Sequence, residues 1–234
     1  MKALNIIGDI HGRSGWEKLV IPEAINVFLG DYFDPYDDIS KDDLVSNFEA
    51  IIQYKKDNPQ TILLLGNHDY HYLFEGEAYS RYSIQNKETF KSLLTKNLDL
   101  FQIAYYNEDH NVLCTHAGVT ETWYMAYMHP EDKEIIDSPQ DIESNINNLF
   151  KSNPKAFGFN YNARNFYECY GDDITHGPLW VRPKSLIYNN IFNKTKYKVK
   201  QAVGHTQFLN IQDVKEITFC DCLGTINKSK TYEN

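Results

Sequence analysis

Ala3-Leu4-Asn5-Ile6-Ile7-Gly8-Asp9-Ile10-His11-Gly12 is the stretch on which the reading of this chain turns. A short apolar run of this kind suits a strand covered on both faces, and here it stops at a polar turn carrying Asp and His between glycines. The same pattern returns four times, in order. Ile25–Leu29 runs into Gly30-Asp31, and Thr61–Leu65 into Gly66-Asn67-His68-Asp69. Asn111–Cys114 runs into Thr115-His116-Ala117-Gly118, and Val199–Val203 into Gly204-His205-Thr206. Helices are expected between these runs, over Lys41–Lys56 with Ser40 as N-cap, Lys87–Asn97, and Pro139–Lys151 with Ser138 as N-cap. Strands alternating with helices predict an α/β fold, and chemistry just past strand C-termini is where such sheets bind ligands.

The tail has a different texture. Phe208–Ile211 and Glu216–Leu223 read as short strands joined by a turn, with Gly224–Asn227 as a further candidate. They predict a second, partly antiparallel sheet. Lys228–Asn234 reads as a frayed end. The expected organisation is one domain over residues 1–234, with a partly helical, aromatic-rich insertion at about 120–198.

Twenty-three Lys and Arg against 32 Asp and Glu give a net charge of -9, which argues against duplex nucleic acid as a partner. A small phosphorylated substrate remains compatible, because bound metal supplies positive charge locally. Cys114, Cys169, Cys220 and Cys222 match neither a disulfide framework nor a zinc-finger spacing, and Cys220-x-Cys222 reads as strand packing. A charge at Asp9 arrives too soon for a signal-peptide core, and no run approaches the ~18 apolar residues of a membrane span. The expectation is a cytoplasmic protein without a membrane partner.

The five polar turns contribute Asp9, His11, Asp31, Asn67, His116 and His205, besides His68. Hydrolysis of a phosphate ester needs a strong nucleophile at neutral pH and neutralisation of the phosphoryl oxygens. Two metal ions about 3.5–4 Å apart meet both needs, and carboxylate with imidazole is the ligand chemistry that holds them.

These motifs, with Gly30-Asp31-Tyr32-Phe33-Asp34 as the second, resemble those of the calcineurin-like metallophosphoesterase superfamily, above all its Ser/Thr protein phosphatase branch. They span about residues 8–206. The resemblance implies a metallophosphoesterase-type αββα sandwich, two mixed sheets flanked by helices. It implies that Asp9, His11 and Asp31 hold a first metal and that Asp31 bridges to a second, completed by Asn67, His116 and His205. His68 is implied as the general acid and Asp34 as the residue that orients it; a metal-bridging hydroxide attacks in line. Mixed oxygen and nitrogen ligands suit Mn²⁺, Fe, Zn²⁺ or Co²⁺, with Mn²⁺ the expected activator in vitro.

The pattern departs from the family at two places. Pro35-Tyr36 stands where the phosphatases carry Arg-Gly, which removes a guanidinium fork from the phosphate. Arg182, after Leu179-Trp180, is the first candidate to supply it; Arg13 is the second and Arg164 the third, with Asn67 also counted toward substrate. Gln207 replaces the second histidine of the Gly-His-x-His found in many phosphodiesterases of the superfamily, which favours the phosphatase branch.

The expected activity is hydrolysis of phosphate monoesters, on phosphoprotein or a small metabolite. The alternative is a nucleotide anhydride or diester hydrolase related to diadenosine tetraphosphatase, with Tyr161, Phe166, Tyr167, Tyr170 and Trp180 stacking a base. A non-catalytic scaffold is the remaining alternative, and the intact ligand set speaks against it. His71, His110 and His129 read as structural or solvent-facing, and His176 as a neighbour of the Trp180 segment.

Overall fold

The five apolar runs form strands that divide between two sheets. The computed structural model describes residues 1–74, 79–129, 137–159 and 172–233. Strands β1 (Leu4–Ile7), β2 (Ile25–Phe28), β3 (Ile62–Leu64) and β4 (Phe101–Gln102) pair in parallel, and the C-terminal β10 (Lys230–Tyr232) adds antiparallel to β1. The second sheet runs β5 (Ala104–Asn107), β6 (Val112–Thr115), β7 (Lys200–Val203), β9 (Ile217–Phe219), β8 (Gln212–Val214). Its centre is parallel and both edges are antiparallel.

Period-two alternation along the strands sorts the core into layers. Leu4, Ile6, Val27 and Leu64 of the first sheet share one buried cluster with Val112, Cys114 and Ala202 of the second, so the sheets face each other. The outward side chains Ile7, Phe28 and Leu63 instead meet Leu44, Phe48, Ile51 and Ile52 of α1 (Lys41–Asp57). Each such side chain contributes about 1.5–3 kcal/mol on full burial. On the outside of the second sheet, Leu113 shares a core with Ile142 and Ile146, and Leu186 packs with Val203, Ile217 and Phe219. The result is the expected αββα sandwich.

The helices begin where their caps predict. Ser40 accepts from the Asp43 amide at 3.2 Å to open α1, and Ser138 accepts from Asp141 at 3.2 Å to open an α-helix over Pro139–Ser152. Further helices are α2 (Asn67–Leu73), α3 (Lys87–Lys96), α4 (Glu121–Met128) and, numbering the Pro139–Ser152 helix α5, α6 (Pro183–Asn189). No helix among the described residues is long and apolar enough to cross a membrane.

The tail corrects three expectations. Phe208–Ile211 is not a strand: the Phe208 and Leu209 carbonyls both accept from the Thr225 hydroxyl, at 3.0 and 3.1 Å, and the hairpin strand lies at Gln212–Val214. Gly224–Asn227 is a turn, with the Thr225 and Ile226 amides on the Cys222 carbonyl. Lys230–Tyr232 is ordered into β10, because β1 offers an open edge and Thr231 reaches Asn5 at 3.2 Å. Cys220 and Cys222 are buried, Cys220 between the sheets, as packing predicts. Tyr161, Arg164, Phe166, Tyr167, Cys169 and Tyr170 lie outside the described residues.

Candidate active site

Each polar turn leaves the C-terminal end of a strand, β1, β2 and β3 from one sheet and β6 and β7 from the other. Main-chain bonds hold the turns together. The Ile10, His11 and Gly12 amides donate to the Gly30, Asp31 and Tyr32 carbonyls, and the Gly204 amide to the His116 carbonyl. Asp69, fully buried, accepts from the amides of Asp31, Tyr32 and Gly66 at 2.8–2.9 Å. Close approach explains two glycines: a Cβ at Gly204 would collide with the Asp9 carboxylate, and one at Gly66 with that of Asp31. His11, Asp31, Asp34 and His205 sit at φ of 45°, 54°, 57° and 63°, strained backbone of the kind that gathers at functional sites.

Asp31 is the centre of the cluster. Its Oδ2 lies 3.6 Å from His11 Nε2 and 3.5 Å from His116 Nε2, while Oδ1 accepts from the His68 amide at 2.9 Å. Asn67 Oδ1 stands 2.9 Å from both His116 Nε2 and His205 Nδ1, and Asp9 accepts from the His205 amide at 2.9 Å. His11 donates from Nδ1 to the Phe33 carbonyl at 3.0 Å, and His116 from Nδ1 to the Leu29 carbonyl at 2.8 Å. Both rings therefore turn an unprotonated Nε2 toward Asp31.

This donor set fits divalent metal. Ligand bonds of about 2.0–2.2 Å separate neighbouring donor atoms by about 3–3.5 Å, close to the Asp31–His spacings. Asp9, Asp31 and His116 offer ligand atoms all within 4.8 Å of one another. Burial holds His11 down at about 4 and drives His205 well below the imidazole range, so both are neutral, as ligands must be. Burial, with Asp221 and Asp31 beside it, pushes Asp9 up; a cation would relieve that repulsion. Burial raises Asp31, but His116, His68 and His11, charged at the acid pH where a carboxylate titrates, outweigh it and set it at about 2.

A second group of potential ligands is formed by Asp34, His68 and His71. Asp34 Oδ2 lies 2.9 Å from His68 Nδ1 and 2.7 Å from His71 Nε2. Burial lowers the His68 pKa, but Asp31 and the bond to Asp34 outweigh it and the imidazole is raised. His68 thus favours the protonated form that an acid needs.

A cleft of about 520 Å³ opens over the cluster, lined by His11, Asp31, Asn67, His68 and His205 together with Arg13 and Arg182. Arg182 donates to the His205 carbonyl and the Thr206 hydroxyl, both at 3.1 Å. Arg13 is paired with Asp37 at 3.0 Å. His176 does not line the cleft; it stacks on Phe159 at 4.8 Å. His110 is a surface residue bonded to the Lys2 carbonyl, and His129 pairs with Asp137 at 2.7 Å.

Sequence reasoning missed three participants. His71, read as structural or solvent-facing, is buried against Asp34, and its signal was the i, i+3 spacing from His68 on α2. Asp221 lines the cleft, where burial followed by Asp31 pushes its carboxyl to about 7; it too closes a strand-like run. Tyr36 lines the cleft with the Arg81 guanidinium 4.1 Å over its ring, a pairing with no local signal.

Residues 4–207 match the family described as Calcineurin-like phosphoesterase. Among solved structures, the chain is similar to that of a "Protein serine/threonine phosphatase from Saccharomyces cerevisiae with similarity to human phosphatase PP5". That likeness has 13% identity and a TM-score of 0.51, and covers 93% of this chain and 66% of that one. The chain thus spans just under two thirds of that relative's length, and at this identity the likeness bears on fold alone. No curated protein matches the chain.

Proposed function

Since this chain belongs to the calcineurin-like phosphoesterase family, we propose that it hydrolyses phosphate monoesters with two divalent metal ions, in the manner of the Ser/Thr phosphatase branch. The observation that carries the reading is the placing of Asp31 between His11 and His116, with Asn67 and His205 alongside. In this reading Asp9, His11 and Asp31 hold one ion; Asp31, Asn67, His116 and His205 hold the other. When bound, such ions acidify water into a nucleophile and neutralise phosphoryl oxygens.

The chain's own groups do the rest. Asp34 fixes His68 through Nδ1, so that the opposite nitrogen gives its proton to the leaving oxygen. Arg182 and Arg13 line the cleft on charges suited to phosphate oxygens, with Arg182 taking over from the arginine that Pro35 displaces. Mn²⁺ is the proposed activator, and the cytoplasm the proposed location. Residues 1–234 are read as one domain with a partly helical, aromatic-rich insertion at about 120–198, of which Phe159, Trp180 and Arg182 line the cleft.

Turnover of p-nitrophenyl phosphate against its bis-ester, with Mn²⁺ and with chelator, tests this. Metal-dependent monoester hydrolysis is expected; turnover of the bis-ester alone would overturn it. One observation favours the nucleotide alternative, since Tyr36, Tyr79 and Trp180 line the cleft and offer ring surface to a base. Hydrolysis of dinucleotide polyphosphates ahead of the monoester would favour that reading.

A further inference from the structure

Asp34 is approached by three side chains, and only one of them is the acid already assigned. His68 Nδ1 approaches Oδ2 at 2.9 Å, His71 Nε2 approaches the same oxygen at 2.7 Å, and the Tyr72 hydroxyl donates to Oδ1. All four side chains are buried. Tyr72 is itself held by the Ser83 amide at 2.9 Å. His71 is packed edge-on by Tyr72 and Tyr82, with ring centroids 4.4 and 5.0 Å away.

Asp34 and His71 do not line the cleft, so this cluster stands behind His68 rather than over the substrate. The 2.9 Å from His68 Nδ1 to Asp34 Oδ2 is a charge-assisted hydrogen bond, and the 2.7 Å from His71 Nε2 to the same oxygen is a close contact of an ion-pair kind. Neither nitrogen of the His71 ring makes a hydrogen bond of good geometry among the described residues, but Nε2 lies 2.7 Å from Asp34 Oδ2 while nothing accepts at Nδ1. A proton on Nδ1 would be buried and uncompensated, whereas one on Nε2 faces the Asp34 carboxylate.

We propose that His71 and Tyr72 are positioning residues for the general acid. They hold both oxygens of Asp34, so that the carboxylate stays ionised and points one lone pair at His68 Nδ1. His68 is thereby aimed into the cleft. The pair sits one helical turn beyond the His68 turn, on the same short helix α2, so a single rigid element carries the acid and its support. This inference rests on the phosphoesterase reading and deepens it.

The test uses Y72F, which keeps the ring, and H71Q, each assayed on phenyl phosphate and on 2,4-dinitrophenyl phosphate. A poor leaving group needs its proton; a good one does not. Both variants are expected to lose about tenfold or more in kcat on phenyl phosphate, with KM and the dinitrophenyl ester changed less than about twofold. Equal losses on both esters, or no loss on either, would overturn the proposal. If wild-type protein with Mn²⁺ turns over neither ester, the phosphoesterase reading falls and takes this inference with it. Nitrogen-15 NMR of wild-type imidazoles supplies a readout free of activity and of variants. It should show a proton on His71 Nε2, and a ring protonated on Nδ1 alone would refute the arrangement.

Discussion

His116 Nε2 lies 3.5 Å from Asp31 Oδ2, although the two residues follow strands of different sheets. The site therefore exists only when the sandwich is closed. Asp31→Asn should break the link between the two halves of the donor set. Bound Mn²⁺ should fall below two ions per chain and turnover by about 10³-fold, since a bridging charge supplies several kcal/mol. Metal analysis beside a phosphatase assay checks this, and full occupancy with unchanged rate would speak against it.

His68→Asn removes the proposed acid and leaves the carboxylates in place. Loss of about 10²–10⁴-fold in kcat is expected, with two metals retained. An unchanged rate in the metal-loaded variant would assign the acid elsewhere.

Gly204→Ala drives a Cβ into the Asp9 carboxylate. The ligand would be displaced while the fold persists, at a cost of about 10–100-fold in metal affinity. Calorimetric titration with Mn²⁺ reads this directly. Wild-type affinity would show that Asp9 is dispensable.

Arg182→Ala should lower kcat/KM by about 10–100-fold, the loss of a charged hydrogen bond, and Arg182→Lys should recover little of it. Steady-state kinetics on the monoester separates the two variants. Full recovery by lysine would mean that Arg182 acts as a simple charge.

Metal should also stabilise the fold, because the ligands come from both sheets. At a hundredfold excess over Kd the gain is about 2.7 kcal/mol, a rise of several degrees in Tm. Thermal unfolding with Mn²⁺ and with chelator would reveal it, and identical curves would count against a site shared by the two sheets.

Most of this architecture was legible in local pattern. Apolar runs ending in glycine-framed polar turns placed Asp9, Asp31, Asn67, His116 and His205 at strand ends, and Ser40 and Ser138 opened their helices where expected. What escaped depends on contacts between distant segments. Lys230–Tyr232 looked frayed because its strand partner, β1, lies at the other end of the chain. Phe208–Ile211 has a strand's composition, yet Thr225 takes its carbonyls. His71 and Asp221 were visible as residue types, but only the fold shows that one faces Asp34 and the other the cleft.

Anomalous X-ray diffraction from crystals soaked in Mn²⁺ is the most direct test of the central claim. Two peaks about 3.5–4 Å apart should flank the Asp31 carboxylate, one beside Asp9 and His11 and the other beside Asn67, His116 and His205. A lone ion held by Asp34, His68 and His71, with none at Asp31, would contradict the account.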